Sequence, residues 1–386
     1  MENLSPYDEK IRRILKTVSH EEPDRVPSLS MIGTWAVAYS GSSIYEIEEN
    51  PETEIDIFCR PFEKLYTDAA YTCGIGFDPM GSKLIGSEGR FISSDGQTIQ
   101  HKEVRPMNEE DYPAFIADPV SHMQNVILPR KAAHLSAGFA ESYKAVKEFV
   151  AYQVSKKQIG ARLRERLKNE YAVPVAAGPT VKPPMDIIFD CLRGFKGISV
   201  DLRRNPQSLL DAINALEDFA QTVVGIAPDI VSLPEFPFYA TMMHVPTFIN
   251  PKQFEKFFWP TYQKMILNIF RLGGKIIMFL EGEWKNKFDF LNDLPKNFAV
   301  GIIEGDDIFD AKKNIGGNLT IAGGMPLDLI KFGDENECTD YAKKLLDECA
   351  PGGGYIFSSS RELISGNDIN FENLTALHNY VRDYQS

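Results

Sequence analysis

The chain has 386 residues, of which 43% are hydrophobic and 25% charged, and 41 Lys and Arg stand against 54 Asp and Glu for a formal net charge of −13. That composition supports a large apolar core and, with no long basic block, argues against a nucleic-acid partner, whose phosphates call for a basic patch. No run approaches the roughly 18–20 apolar residues of a membrane span. The charged start MENLSPYDEKIRRILK lacks the apolar core of a secretion signal. Five scattered cysteines (Cys59, Cys73, Cys191, Cys338, Cys349) contain no C-x-x-C pair. Reduced, mostly buried thiols and a cytoplasmic location are expected.

In chain order, residues 5–19 place Ile11, Ile14, Leu15 and Val18 on one side of a predicted helix that stops before Pro23. RVPSLSM, residues 25–31, reads as the first strand. Residues 39–130 are mixed, with a hairpin expected within 90–107 around the turn Asp95-Gly96. Residues 132–171 are helical and highly charged. Beyond them strands are expected at 172–178, 229–236, 275–282, 298–307, 319–324 and 353–363. Helices are expected at 185–198, 251–272 and 287–294, with a last one over 371–384.

Nearly continuous apolar strands separated by helices imply a parallel sheet covered on both faces. At least six such units favour a closed (β/α)8 TIM barrel, an α/β fold with N-terminal elaborations, as a single domain over residues 1–386. Neither G-x-G-x-x-G nor G-x-x-x-x-G-K-[ST] is present, so nucleotide binding has no signature.

In such a barrel, function gathers where the strands end. KIIMFLEGEW, residues 275–284, runs apolar through Phe279 and Leu280 and then releases Glu281 and Glu283. Read the same way, the strands at 229–236 and 298–307 release Glu235 and Glu304. Three carboxylates at one rim suit acid–base work or a hard metal; solvated or helix-capping carboxylates are the bland alternative. The segment after Glu235, FPFYATMMHVP, adds Phe236, Phe238, Tyr239, Met242, Met243 and His244, a composition suited to a flat apolar ligand. His244 is either structural or catalytic, and the two methionines are either packing or pocket wall. Arg361, after three serines, either holds an anion or pairs with a neighbouring carboxylate.

The stretches HEEPDRVPSL, MDIIFDCLRGFKGISVDLRRNPQSLLDAI, FINPKQFEKFFWPTYQKMI, KIIMFLEG, LTIAGGMP and GGGYIFSSSRELISGNDINFENLTAL carry a resemblance. In this order and spacing the chain resembles the uroporphyrinogen decarboxylase superfamily, and within it the corrinoid-dependent methyltransferase branch. The resemblance implies a (β/α)8 barrel. True uroporphyrinogen decarboxylases keep an arginine-rich motif after the first strand, where this chain reads SLSMIGTWAVAYSG with no arginine. A porphyrinogen with eight carboxylates fits such a chain poorly. Thiol-methylating relatives bind zinc through an H-x-C pair and a late cysteine, which fall on Phe279, Glu281 and, less securely, Ser360. Losing that soft ligand set speaks against a thiol acceptor.

What remains resembles the O-demethylase methyltransferases of the veratrol and vanillate type. These take a methyl group from a methoxylated aromatic and pass it to Co(I) on a separate corrinoid protein. By this resemblance Glu235, His244 or Tyr239 would protonate the ether oxygen, and Glu281 and Glu304 would orient the donor or hold a metal, zinc among them. Trp35, Trp284, Phe236, Phe238 and Met243 would line the substrate, with Arg361 as an anion contact. The alternatives are a decarboxylase of the uroporphyrinogen type and a non-catalytic barrel that binds a small molecule.

Overall fold

The computed structural model describes residues 4–76, 78–226 and 235–384. Its strands are β1 (Leu29–Ser30), β2 (Ala69–Ala70), β3 (Arg90–Ile92), β4 (Ile99–His101), β5 (Ala177–Thr180), β6 (Phe238–Met242), β7 (Ile276–Leu280), β8 (Ala299–Ile303), β9 (Thr320–Met325) and β10 (Tyr355–Ser359). Six run parallel in the order β10-β9-β8-β7-β6-β5, and β1 pairs in parallel with β2. Parallel bridges from Ser28 to Phe357 and from Ala70 to Val175 close the two sheets into one ring. The result is the expected eight-stranded (β/α)8 barrel, with β3 and β4 set apart as an antiparallel hairpin.

Successive side chains on a strand face opposite ways, which here separates two cores. Leu29, Met31, Ala69, Tyr71, Phe238, Ala240, Ile277, Phe279, Val300, Ile302, Ala322 and Ile356 fill the lumen. Their neighbours Ile32, Tyr239, Ile276, Met278, Leu280, Ile303, Ile321, Tyr355 and Phe357 pack outward against the helices. Both faces of β7 and β8 are thus apolar, which is why these strands read as unbroken hydrophobic runs.

The first helix (Pro6–Val18) is capped by the Ser5 hydroxyl, which accepts from the Asp8 amide at 3.2 Å. Its Ile14 and Val18 join the lumen cluster, so the helix plugs the barrel beneath the strands. Beside it Asp68, fully buried, is held by Arg13 at 2.7 Å and by Arg25 at 2.9 Å. An ion pair so buried costs desolvation unless its remaining lone pairs are satisfied; here the Ser28 amide donates to Asp68 at 2.9 Å. The charged stretch expected to be helical contains one helix of 33 residues, Phe139–Tyr171. No helix among the described residues is long and apolar enough to cross a membrane.

One expected strand differs. Most of the segment 229–236 lies outside the described residues, and the strand in that part of the barrel is β6, made from the residues expected to form a pocket loop. The physical reason lies in FYATM itself: Phe238 and Ala240 fit the lumen, while Tyr239 and the Met243 that follows fit the outer core.

Candidate active site

Three consecutive loops at the C-terminal end of the barrel, after β5, β6 and β7, meet in a cleft of about 380 Å³ lined by Phe189, Phe195, His244, Thr247, Phe248 and Glu281. Lys182 follows β5, and the helical segment behind it carries Asp186, Phe189 and Asp190 through a π-helical turn, Ile188–Arg193. Such turns re-aim side chains and recur at functional sites. His244 and Phe248 follow β6. Glu281 continues the lumen-facing alternation of Ile277 and Phe279 on β7.

These side chains form a chain of charges. Lys182 Nζ pairs with Asp190 Oδ2. Asp190 in turn receives His244 Nδ1, with its two oxygens at 2.9 and 3.0 Å. On the other side of the ring, His244 Nε2 stands 3.5 Å from Glu281 Oε2. The hydrogen bond to Asp190 raises the His244 pKa above its ordinary value against the opposing effect of burial, with help from the Glu281 charge. Burial pushes Asp190 up, but His244 and Lys182 outweigh it and hold the carboxyl low. Glu281 is raised by burial and by the nearby Glu304 and Asp190, against the pull of His244. The ring, clamped at Nδ1 and shifted toward its protonated form, therefore presents Nε2 to the cleft. The His244 and Glu281 side chains keep 38% and 40% exposure, so a ligand can reach both.

The loops are built to hold these groups still. Gly282 adopts φ +69°, and a Cβ there would lie 2.7 Å from Thr247 Cγ2, so the turn after Glu281 closes on the His244 loop only with glycine. Asp186 is fully buried and accepts the Val245 amide at 2.9 Å, fixing the backbone just after His244. Burial pushes its carboxyl up to about 7, helped by the Asp190 charge. The β3–β4 hairpin brings Arg90 and His101 within electrostatic reach of Asp190.

Aromatic rings form the open wall. Phe248 stacks on Phe189 with centroids 5.6 Å apart and meets Phe195 edge-on at 5.1 Å. Phe195 and Phe248 are 51% and 57% exposed, which leaves an apolar surface at the cleft.

Of the residues singled out in the sequence, His244 and Glu281 are brought together. Glu304 is adjacent, but its Oε2 accepts the Gly282 amide at 2.8 Å, so it ties the loops after β7 and β8. Glu235 is misplaced by the expectation: it precedes β6, is exposed, and sits by Lys275 at the N-terminal end of the barrel. Tyr239 faces outward, and its hydroxyl donates to the Val224 carbonyl at 3.3 Å. Phe236 and Phe238 pack edge to face inside the lumen cluster, 5.4 Å apart. Met243 is in the outer core.

Trp35 stacks on Tyr39 at 4.9 Å and is 3% exposed, and Trp284 is wholly buried. The Trp284 indole donates to the Glu281 carbonyl at 3.1 Å. Neither lines the cleft. Arg361 is exposed beyond β10. Sequence reasoning missed Lys182, Asp190, Phe189, Phe195 and Phe248. The i, i+4 spacing of Asp186 and Asp190 within MDIIFDCL was the available signal.

Zinc does not fit the residues present. Among the described residues no group of three or more His, Cys, Asp or Glu has a metal-holding arrangement. His244 Nδ1 is engaged by Asp190 and Glu304 by a backbone amide.

Comparison with known proteins agrees with the fold. A solved methyltransferase from Methanosarcina mazei superimposes with a TM-score of 0.63 over 96% of this chain and 97% of that one, at 15% identity. Likeness at that identity speaks for the barrel alone. No curated protein sequence matches. The sequence profile of uroporphyrinogen decarboxylase (URO-D) matches residues 161–384, more than half of the length, and the chain belongs to that family.

Proposed function

We propose that the chain is a methyltransferase that cleaves the methyl ether of a small methoxylated aromatic and passes the methyl group to Co(I) of a corrinoid carried by a separate protein. The observation that carries this reading is the His244 imidazole, clamped by Asp190 and opening through Nε2 on a cleft walled by three phenylalanines. The segment SLSMIGTWAVAYSG, with no arginine to hold porphyrin carboxylates in a chain of formal net charge −13, favours the methyl-transfer branch of the family over decarboxylation.

Ether cleavage explains the arrangement. The methyl carbon accepts an electron pair from Co(I), and a carbon–cobalt bond forms as the carbon–oxygen bond breaks. The oxygen keeps the bonding pair and would leave as an unstable phenolate in an apolar cleft. His244 Nε2–H supplies the proton, so a neutral phenol departs. The neutral imidazole then regains a proton from water. Asp190 and Glu281 favour the charged ring before transfer, and the phenylalanines hold the substrate ring and keep water off. Proton donation of this kind contributes roughly 10²–10⁴-fold to a rate.

The test is spectroscopic. Purified protein, Co(I) cobalamin and a panel of methoxylated phenols should give methylcobalamin, and H244Q should slow its formation by about 10²-fold or more. A folded H244Q protein with full turnover, or no methylation from any donor, overturns the reading.

A further inference from the structure

The Asp190 carboxylate serves two cations at once. Lys182 Nζ donates to its Oδ2, and the same oxygen lies 3.0 Å from His244 Nδ1. Two contacts on one oxygen put the ammonium within roughly 6 Å of the ring nitrogen. The backbone holds Lys182 in place for this. The Val181 amide donates to the Ala240 carbonyl at 2.9 Å, which ties the residue before Lys182 to β6, the strand that leads to His244. Pro183 and Pro184 follow, both buried, and a residue before proline is restricted to extended backbone. Lys182 thus reaches Asp190 from a stiff stretch of chain.

Holding the fold does not account for the pairing. Asp190 already has a partner in His244, and the Lys182 side chain is 33% exposed, where an ion pair adds little to stability. The charges around the ring give the lysine a role. His244 faces Asp190 and Glu281, and Asp186 acts on it from the same helical segment as Asp190. Glu304 stands beyond Glu281, tied to the Gly282 amide. His101 and Arg90 act on this group from the β3–β4 hairpin. Once the ring gives up its proton, the cation between Asp190 and Glu281 is gone. A half-buried carboxylate left beside a neutral ring pulls the proton back. Lys182 stays on Asp190 in either state of the ring.

We propose that Lys182 is a positioning residue for the proton transfer: sharing Asp190 with His244, its ammonium keeps the carboxylate paired when the ring becomes neutral, and so lets His244 release its proton to the ether oxygen. The role rests on the methyl ether reading given above. One proton moves, from Nε2 to the departing oxygen. The Nδ1 proton stays on the ring against Asp190, and Lys182 keeps all of its own.

An NMR titration of the His244 ring, its signals identified by their loss in H244Q, tests this without turnover. K182M removes the ammonium and keeps an unbranched side chain. Loss of a like charge at that range should raise the midpoint of the His244 titration by about one pH unit. Methylcobalamin formation should slow roughly 10-fold, because the proton is held more tightly. K182R, which retains a cation for Asp190, should titrate close to the unaltered chain. A folded K182M protein whose midpoint is unmoved or lowered, or a K182R protein shifted as far as K182M, overturns the role. So does a raised midpoint with methylcobalamin formation at full rate. A raised midpoint in K182M, when the unaltered chain methylates cobalamin from no donor, upholds the hold of Lys182 on the ring and removes the proposed reaction instead.

Discussion

The His244 imidazole and the Asp190 carboxylate form a bifurcated pair, with Nδ1 at 2.9 and 3.0 Å from the two oxygens. That contact is the largest cause of the raised His244 pKa. As a proton donor, His244 works below its folded pKa and fails as pH rises through it, so the alkaline limb of kcat should lie above the ordinary histidine value near 6.5. D190N removes the charge but keeps a hydrogen-bonding group. It should move that limb to lower pH and lower kcat by about 10²-fold at neutral pH. The check is a pH profile of methylcobalamin formation; an unmoved limb would show that Asp190 does not set the protonation of His244.

Asp186 sits one helical turn before Asp190 and holds the Val245 amide at 2.9 Å. Its folded pKa of about 7 exceeds the unfolded value near 4. The folded state therefore binds the extra proton, and stability falls as pH rises from about 4 to about 7 before levelling. The loss is on the order of a few kcal/mol. D186N has no proton to lose, and its amide oxygen can still accept from Val245. Urea midpoints at pH 5 and pH 8 should fall less for D186N than for the unaltered chain. Equal falls would mean that Asp186 is ionised throughout.

The phenylalanine wall makes a separable contribution. Phe248 touches both Phe189 and Phe195 yet lies 57% exposed, so F248A removes ring contact area without opening a core cavity. Ring pairs of this kind are worth about 0.5–1.5 kcal/mol, which predicts a KM for an aromatic donor raised roughly 3- to 10-fold with kcat little changed. Steady-state kinetics with 4-methoxyphenol decides it; a collapse of kcat at unchanged KM would place Phe248 in proton transfer rather than ring binding.

The barrel was legible because its signal is repetitive. Its central strands are apolar on both faces, and Ile-rich runs such as IIMFL of β7 and AVGII of β8 can hardly be read otherwise. The site is most legible where an unmistakable strand ends in it. Glu281 was found because β7 is unmistakable. His244 stands out in the sequence by its place in the segment after Glu235, although Phe238–Met242 of that segment form β6 rather than a loop. Asp190 was missed because its partner lies 54 residues away, and nothing local marks a helix carboxylate as the clamp of a distant imidazole. The sequence points to Trp35, Trp284, Phe236 and Phe238 as the aromatic lining, but these rings are buried in the cores, and the exposed Phe195 and Phe248 form the rim.

Two glutamates that looked equivalent in the sequence should now behave differently. Glu281 stands 3.5 Å from His244 Nε2 at the C-terminal mouth, where E281Q would withdraw a charge that favours the imidazolium. A lowered kcat, by about 10-fold, and a smaller downward shift of the alkaline limb than in D190N are expected. Glu235 precedes β6 and acts on Lys275, which precedes β7; both belong to the far end of the barrel. A strand rises about 3.3 Å per residue, so the five residues of β6 put Glu235 well over 10 Å from the cleft. At that distance an exposed charge is largely screened in ordinary buffer. E235Q should therefore leave both kcat and its pH profile unchanged, and kinetics on the two variants side by side checks the polarity of β6 in solution. An E235Q defect matching that of E281Q would require Glu235 to reach the C-terminal mouth, contrary to the register of β6 against β7.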